Sequence, residues 1–185
     1  MHWITAAFIF ALLAGCGVRL WLASRQIAAA QAHRAHVPAP FADQVSLQEH
    51  QKAADYTVAR VRFARVEAVF DAIVVLVLTL GGLIAAIDAL WQRTGWREPW
   101  NGAAVVASVL LVSAALGLPF SLWRTFRLEA SFGFNRSTLS LFWLDRLKGL
   151  VLAVLLGGPL LLAALALMER GGRWWWLYVL SLIHI

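Results

Sequence analysis

His33 and His36 stand three residues apart, and on a helix that spacing puts both imidazoles on one face, as in a metal-binding pair. A metal site needs three or four ligands with supporting hydrogen bonds behind them. Arg34 lies between the two histidines and disfavours a cation, so solvated or interhelical histidines are the simpler reading. No His in the chain is followed by Glu, so the His-Glu-x-x-His of zinc peptidases does not occur. Glu49-His50 has the ending of the inverted motif, but Ser46 stands where its first His would be. The residues therefore assign no catalytic, cofactor-binding or metal-binding position.

Three further signals could carry chemistry. Leu13-Ala14-Gly15-Cys16 has the form of a bacterial lipobox, in which the Cys is lipidated after signal cleavage. Met1-His2-Trp3 lacks the basic n-region of such a signal, and cleavage would strand the basic residues that follow on the outer side. The bland alternative is a small-residue patch, Ala14-Gly15-Cys16-Gly17, that admits a neighbouring helix. Glu67 and Asp71 lie one helical turn apart at the start of an apolar segment, where ionisable residues are functional suspects. An ion pair with the nearby Arg62 and Arg65 is the simpler expectation for them. Asp88 sits at the other end of that segment, within reach of water.

The elements that hold these residues are those of a membrane protein. The chain is 61% apolar and only 14% charged, a balance that soluble domains do not have. Several of its ten Trp residues, Trp3, Trp21, Trp91, Trp100, Trp123 and Trp174 among them, end apolar runs, where an indole prefers the headgroup layer. Four stretches reach the roughly 20 residues that a span needs: Trp3–Leu22, Val66–Leu90, Gly102–Trp123 and Gly149–Met168. A fifth opens at Trp174 and reaches only Ile185. The expected fold is all-α, a polytopic transmembrane domain over 1–185 with four full spans and a truncated fifth, in a chain that is a fragment of a longer protein.

Basic residues set the orientation. Arg19, Arg25, Arg34, Lys52, Arg60, Arg62 and Arg65 flank one long loop, and Arg124, Arg127, Arg136, Arg146 and Lys148 flank the other. The alternate loops hold only Arg93, Arg97, Arg170 and Arg173. The bias predicts an N-terminus outside and two long loops in the cytoplasm. It also explains the net charge of +6 through lipid and topology, with no call for nucleic acid. Within the loops, Val37-Pro38-Ala39-Pro40 interrupts an Ala-rich helix. Ser46-Leu47-Gln48-Glu49 has capping-box spacing, and no Gly or Pro follows before Gly81, so one helix should run from the cytoplasm into the second span. Pro119 predicts a kink in the third span, and Ser137 or Thr138 predicts the start of a helix leading into the fourth.

Two dense polar stretches stand out from this apolar background: His50-Gln51-Lys52-Ala53-Ala54-Asp55-Tyr56-Thr57 and Phe132-Gly133-Phe134-Asn135-Arg136-Ser137-Thr138. The second alone could be a glycine turn followed by a helix cap. With them, in order and without a large gap, come His33-Arg34, Val37-Pro38, Phe41, Leu47, Thr79-Leu80-Gly81-Gly82, Leu118-Pro119, Thr125-Phe126, Glu129, Asp145 and Lys148. Over about residues 20 to 160 this series resembles the N-terminal membrane module of the type I CAAX prenyl proteases, and the His-Gln-Lys-Ala-Ala-Asp-Tyr version resembles the bacterial branch.

The resemblance implies several membrane helices around an intramembrane chamber, with a zinc motif that follows the fifth span on the cytoplasmic side. It implies zinc-water attack on a peptide bond in the full-length protein, while the present chain carries no cofactor and none of the catalytic residues. Lys52, Asp55, Glu129, Asn135, Asp145 and Lys148 are the expected rim or docking residues. The implied partners are membrane lipid, the protein's own C-terminal catalytic domain, and a peptide or membrane-protein substrate, in a bacterial inner membrane. The rival reading is a non-enzymatic multi-span scaffold or transporter component.

Overall fold

The computed structural model describes residues 2–41 and 43–184, so Ile185, where the fifth apolar run ends, lies outside the described residues. Helix α1 runs Trp3–Ala32, α2 Leu47–Thr79, α3 Leu83–Gln92 and α4 Trp100–Trp123, which passes into π-helical turns at Arg124–Glu129. Helix α5, Leu139–Leu152, continues through π-helical turns at Ala153–Gly157 into α6, Gly158–Arg170, and α7 is Trp175–His184. All regular structure among the described residues is helical, as the sequence leads one to expect. Three continuous stretches are long and apolar enough to cross a membrane, Trp3–Ala32, Trp100–Glu129 and Leu139–Arg170, and α2 and α3 meet the same measure only when taken together across the break between them. Phe10 and Leu110 are 75% and 63% exposed. Such exposure is unfavourable in water and is the natural state of a side chain in lipid.

Helix α2 runs unbroken into the second apolar stretch, as the lack of Gly or Pro before Gly81 leads one to expect, and the stretch Val66–Leu90 is then broken at Gly81-Gly82. Helix α2 ends at Thr79, where Gly82 takes a φ of +76° that only glycine adopts without strain. A Cβ on Gly81 would lie 2.5 Å from the Val77 carbonyl oxygen. The two glycines thus end one helix and start the next. The capping box forms as its spacing predicts, with the Ser46 hydroxyl accepting the Glu49 N–H at 3.2 Å and the Glu49 carboxylate accepting the Ser46 N–H at 3.0 Å. The Ser46 hydroxyl also donates to the Glu49 carboxylate at 2.7 Å, and this bond, with that from the Ser46 N–H, holds the Glu49 carboxyl below its ordinary value. Helix α4 continues through Pro119 to Trp123. The π-helical turns at Ala153–Gly157 precede Pro159, whose missing N–H leaves a carbonyl of the previous turn without its usual donor.

The chain divides into two compact units, Met1–Leu76 with Pro119–Arg136, and Val77–Leu118 with Ser137–Ile185. In the first, Phe120 lies 4.6 Å from Phe70 and 6.0 Å from Phe63. Cys16 Sγ of α1 reaches the Ala68 carbonyl of α2 at 3.9 Å, a close approach that fits the small-residue reading of the Ala14–Gly17 patch. In the second unit, the Trp91 indole donates to Ser108 Oγ at 2.9 Å. Asp88 accepts from the Gln92 amide at 2.7 Å, and Asn101 is buried beside Asp88 and Glu98. Thr138 caps α5, accepting the Leu141 N–H at 3.2 Å.

Candidate functional site

In the first unit the two polar stretches meet around Tyr56. Gly133, at φ +75°, lets the chain reverse, and the Phe134 N–H closes the turn on the Glu129 carbonyl at 2.9 Å. The reversal sets the Phe132 and Phe134 rings nearly parallel, 6.5 Å apart. Tyr56 stands edge-on to both, at 5.3 Å from Phe132 and 4.9 Å from Phe134, the preferred geometry for aromatic quadrupoles. Lys52, one turn earlier on α2, places its ammonium 5.3 Å from the centre of the Phe134 ring.

The connection between α1 and α2 is tied down just above this cluster. Arg34 grips Asp55 through two parallel hydrogen bonds, Nε to Oδ1 at 2.8 Å and Nη2 to Oδ2 at 2.9 Å. The hydrogen bonds from Arg34 hold the Asp55 carboxyl below its ordinary range, and the same contact raises Arg34. The His50 ring bonds the His33 carbonyl through Nε2 at 2.8 Å, and the His33 ring lies on the Ala29 carbonyl through Nδ1 at 2.8 Å. Both histidines are engaged with backbone. Among the described residues no three of His, Cys, Asp and Glu converge as a metal-ligand set.

A second polar feature lies along α2. Arg124 forms an ion pair with Glu67. This corrects the expectation that Arg62 or Arg65 would pair with Glu67. At about 100° per residue, positions two and five apart on a helix do not face each other. Asp71 has no ion-pair partner among the described residues. A cavity of about 570 Å³ is lined by Arg19, Gln26, Tyr56, Arg60, Arg124 and Glu129 together with smaller apolar residues. Two smaller cavities, of about 300 and 230 Å³, continue along the same helices, and Arg19 and Asp71 line both. The arrangement is a mixed-charge track on one side of α2, able to hold a polar chain by charge and hydrogen bonding.

The expected rim residues therefore divide. Lys52 and Asp55 join the aromatic and ionic anchors, Glu129 supplies a backbone acceptor and lines the largest of these three cavities, and Asn135 follows in the same turn, half-buried. Asp145 and Lys148 belong to the second unit, where they pair with each other at 3.9 Å and remain exposed. Sequence reasoning missed the roles of Tyr56, Arg34, Arg19 and Arg124. The partners of Tyr56 and Arg124 lie far along the chain, and no local spacing reveals them.

Residues 26–185 match the family described as CAAX prenyl protease N-terminal, five membrane helices. A CAAX prenyl protease 1 homolog of rice is 28% identical over 163 residues, which is 80% of this chain and 38% of the relative. The homolog of Arabidopsis thaliana is 34% identical over 93 residues, 47% of this chain and 22% of the relative. The crystal structure of S. mikatae Ste24p superposes with a TM-score of 0.82 at 22% identity, covering 95% of this chain and 42% of that one. The chain thus spans well under half the length of these proteins, and the structural likeness is one of fold. With the family match extending over most of an apolar, multi-span helical chain, this protein is an integral membrane protein and belongs to the CAAX prenyl protease N-terminal family.

Proposed function

We propose that this membrane domain supplies part of the wall and the cytoplasmic rim of an intramembrane chamber in a zinc metalloendopeptidase. The observation that carries the reading is the sidedness of α2. Glu67, Asp71 and Ala64 line polar cavities with Arg19 and Arg124 on one side, while Val66, Val69 and Ile73 occupy the other. Charge inside a membrane segment is tolerated where it faces water or protein, so the polar side is the chamber side. The aromatic cluster at Tyr56 and the Arg34–Asp55 pair form the rim, which holds the loops in place against a catalytic domain. Peptide or membrane-protein substrate would pass along the mixed-charge track.

Zinc does not fit the residues of this chain. His33 and His50 have ring nitrogens on backbone carbonyls, no three candidate ligands converge among the described residues, and the sequence holds no His-Glu-x-x-His. No zinc-dependent step is assigned to it, and the domain alone is inactive in this reading. Metal analysis of the purified chain should find no stoichiometric zinc, and a peptide substrate should remain uncut. The location is a bacterial inner membrane, with the N-terminus outside and both long loops cytoplasmic. Support for this comes from the basic residues and from the His50–Tyr56 stretch.

Thiol accessibility in the full-length protein tests the chamber. In a Cys16→Ser background, cysteines at Ala23 and Ala64 should react with a charged, water-soluble reagent, and cysteines at Val69 and Ile73 should not. Reaction at Val69 with none at Ala64 would reverse the sidedness and remove the basis for a chamber wall.

A further inference from the structure

The face of α2 opposite Glu67 and Asp71 carries an open groove of about 600 Å³, with Arg65 at its edge, where the same side chain also borders the cavity of Glu67 and Asp71. Val66, Val69 and Ile73 form its floor, at 59%, 41% and 53% exposure, and Phe120 forms one side. Arg62 and Arg65 close the end nearer the α2 N-terminus. Neither arginine has an ion-pair partner among the described residues. From Arg62 to Ile73 the helix rises roughly 16 Å at about 1.5 Å per residue, close to the ~15 Å of hydrocarbon in one leaflet of a ~30 Å core. We propose that this groove is a binding site for an anionic phospholipid, with the phosphate between Arg62 and Arg65 and one acyl chain lying along Val66, Val69 and Ile73 against Phe120.

The two ends of the groove ask for different chemistry. A guanidinium fork matches phosphate oxygens in a bidentate way, and basic pockets between membrane helices take anionic headgroups. Free phosphate would satisfy the arginines and leave the apolar floor unused. A packed protein helix would cover the floor and bury two unpaired cations, which is strongly unfavourable. An anionic lipid fits both. The assignment rests on this geometry and on membrane embedding, and shares with the chamber reading the sidedness of α2 alone.

The test uses the purified chain in neutral detergent, with retained lipid read by native mass spectrometry. Phosphatidylglycerol should be retained over phosphatidylcholine of the same chain length, and losing each arginine should reduce retention by about fivefold. Arg62→Gln with Arg65→Gln should bring phosphatidylglycerol down to the phosphatidylcholine level, whereas Arg93→Gln with Arg97→Gln should change nothing. Val69→Trp, which fills the groove and leaves both charges, should also lower retention. Val66→Phe serves if that variant loses its helical circular dichroism. Equal retention of the two lipids by the parent chain would overturn the proposal, as would retention unchanged by loss of both arginines. Displacement by inorganic phosphate alone, with Val69→Trp and Val66→Phe both without effect, would show a simple anion site and overturn the lipid assignment.

Discussion

Arg34 and Asp55, twenty-one positions apart in the chain, meet in a bidentate pair at 2.8 and 2.9 Å. The pair joins the segment leaving α1 to the first turns of α2 across a connection that is otherwise held by turns and the His50–His33 contact. Its pH dependence follows from the lowered Asp55 carboxyl. The folded chain binds this proton more weakly than the unfolded chain does. The contribution to stability is therefore fully present above the ordinary carboxylate pKa of about 3.9, and is lost as pH falls through the lowered value. Limited proteolysis between His33 and Ser46 should accelerate across that acid window. Asp55→Asn should show faster cleavage already at neutral pH and a smaller acid step, the remainder coming from Glu49, which is lowered in the same direction by Ser46. An acid step of unchanged size in Asp55→Asn would remove the pair as its cause.

The cluster at Tyr56 depends on rings, and its hydroxyl has no role in the contacts that define it. Tyr56→Phe should leave thermal stability unchanged. Tyr56→Ala should lower it, and a double-mutant cycle with Phe134→Ala should return a coupling of about 0.5–1.5 kcal/mol. Gly133→Ala forces a Cβ into the left-handed region and should cost about 1–2 kcal/mol by itself. A coupling near zero, with Gly133→Ala as stable as the parent, would mean that the turn is not fixed by these residues.

Much of this was legible in the sequence because the signals are local. The capping box at Ser46–Glu49, the Thr138 cap and the apolar runs each lie within a few residues or one helix, where spacing alone carries the information. Gly81 marks in the sequence how far an uninterrupted helix can run, but the left-handed turn at Gly82 inside an apolar run leaves no hydropathy signal. The Glu67–Arg124 pair is not legible locally: Arg62 and Arg65 are near Glu67 in sequence but on other faces of the helix, and Arg124 comes from a distant segment. The resemblance located the polar stretches, but only the fold shows that Tyr56 is what joins them.

Glu67 and Arg124 provide a charge-swap test of the polar side of α2. The two side chains are 19% and 47% exposed, so the pair is partly desolvated and its loss leaves an ionised group without compensation. Glu67→Arg and Arg124→Glu should each lower the unfolding temperature in detergent. The double exchange should recover most of the loss, because the same contact is rebuilt with the charges reversed. Additive losses in the double variant would show that the two residues act separately.

The orientation can be tested at positions that the structure shows to be exposed. Gln44 and Ser131 lie on the loops rich in basic residues, and Thr94 lies on a loop that is poor in them; all three are exposed. Asn101, on the same side as Thr94 by sequence, is buried beside Asp88 and Glu98 and is a poor probe. In a Cys16→Ser background, a cysteine at Thr94 should react with an impermeant reagent in intact cells. Cysteines at Gln44 and Ser131 should react only after the membrane is opened. The positive-inside bias makes this the expected pattern, since Arg34, Lys52, Arg60, Arg127 and Arg136 would otherwise have to be translocated. Labelling of Gln44 in intact cells would invert the domain. It would place the Tyr56 cluster and the Arg34–Asp55 pair outside, and with them the rim against which a cytoplasmic catalytic domain is proposed to dock.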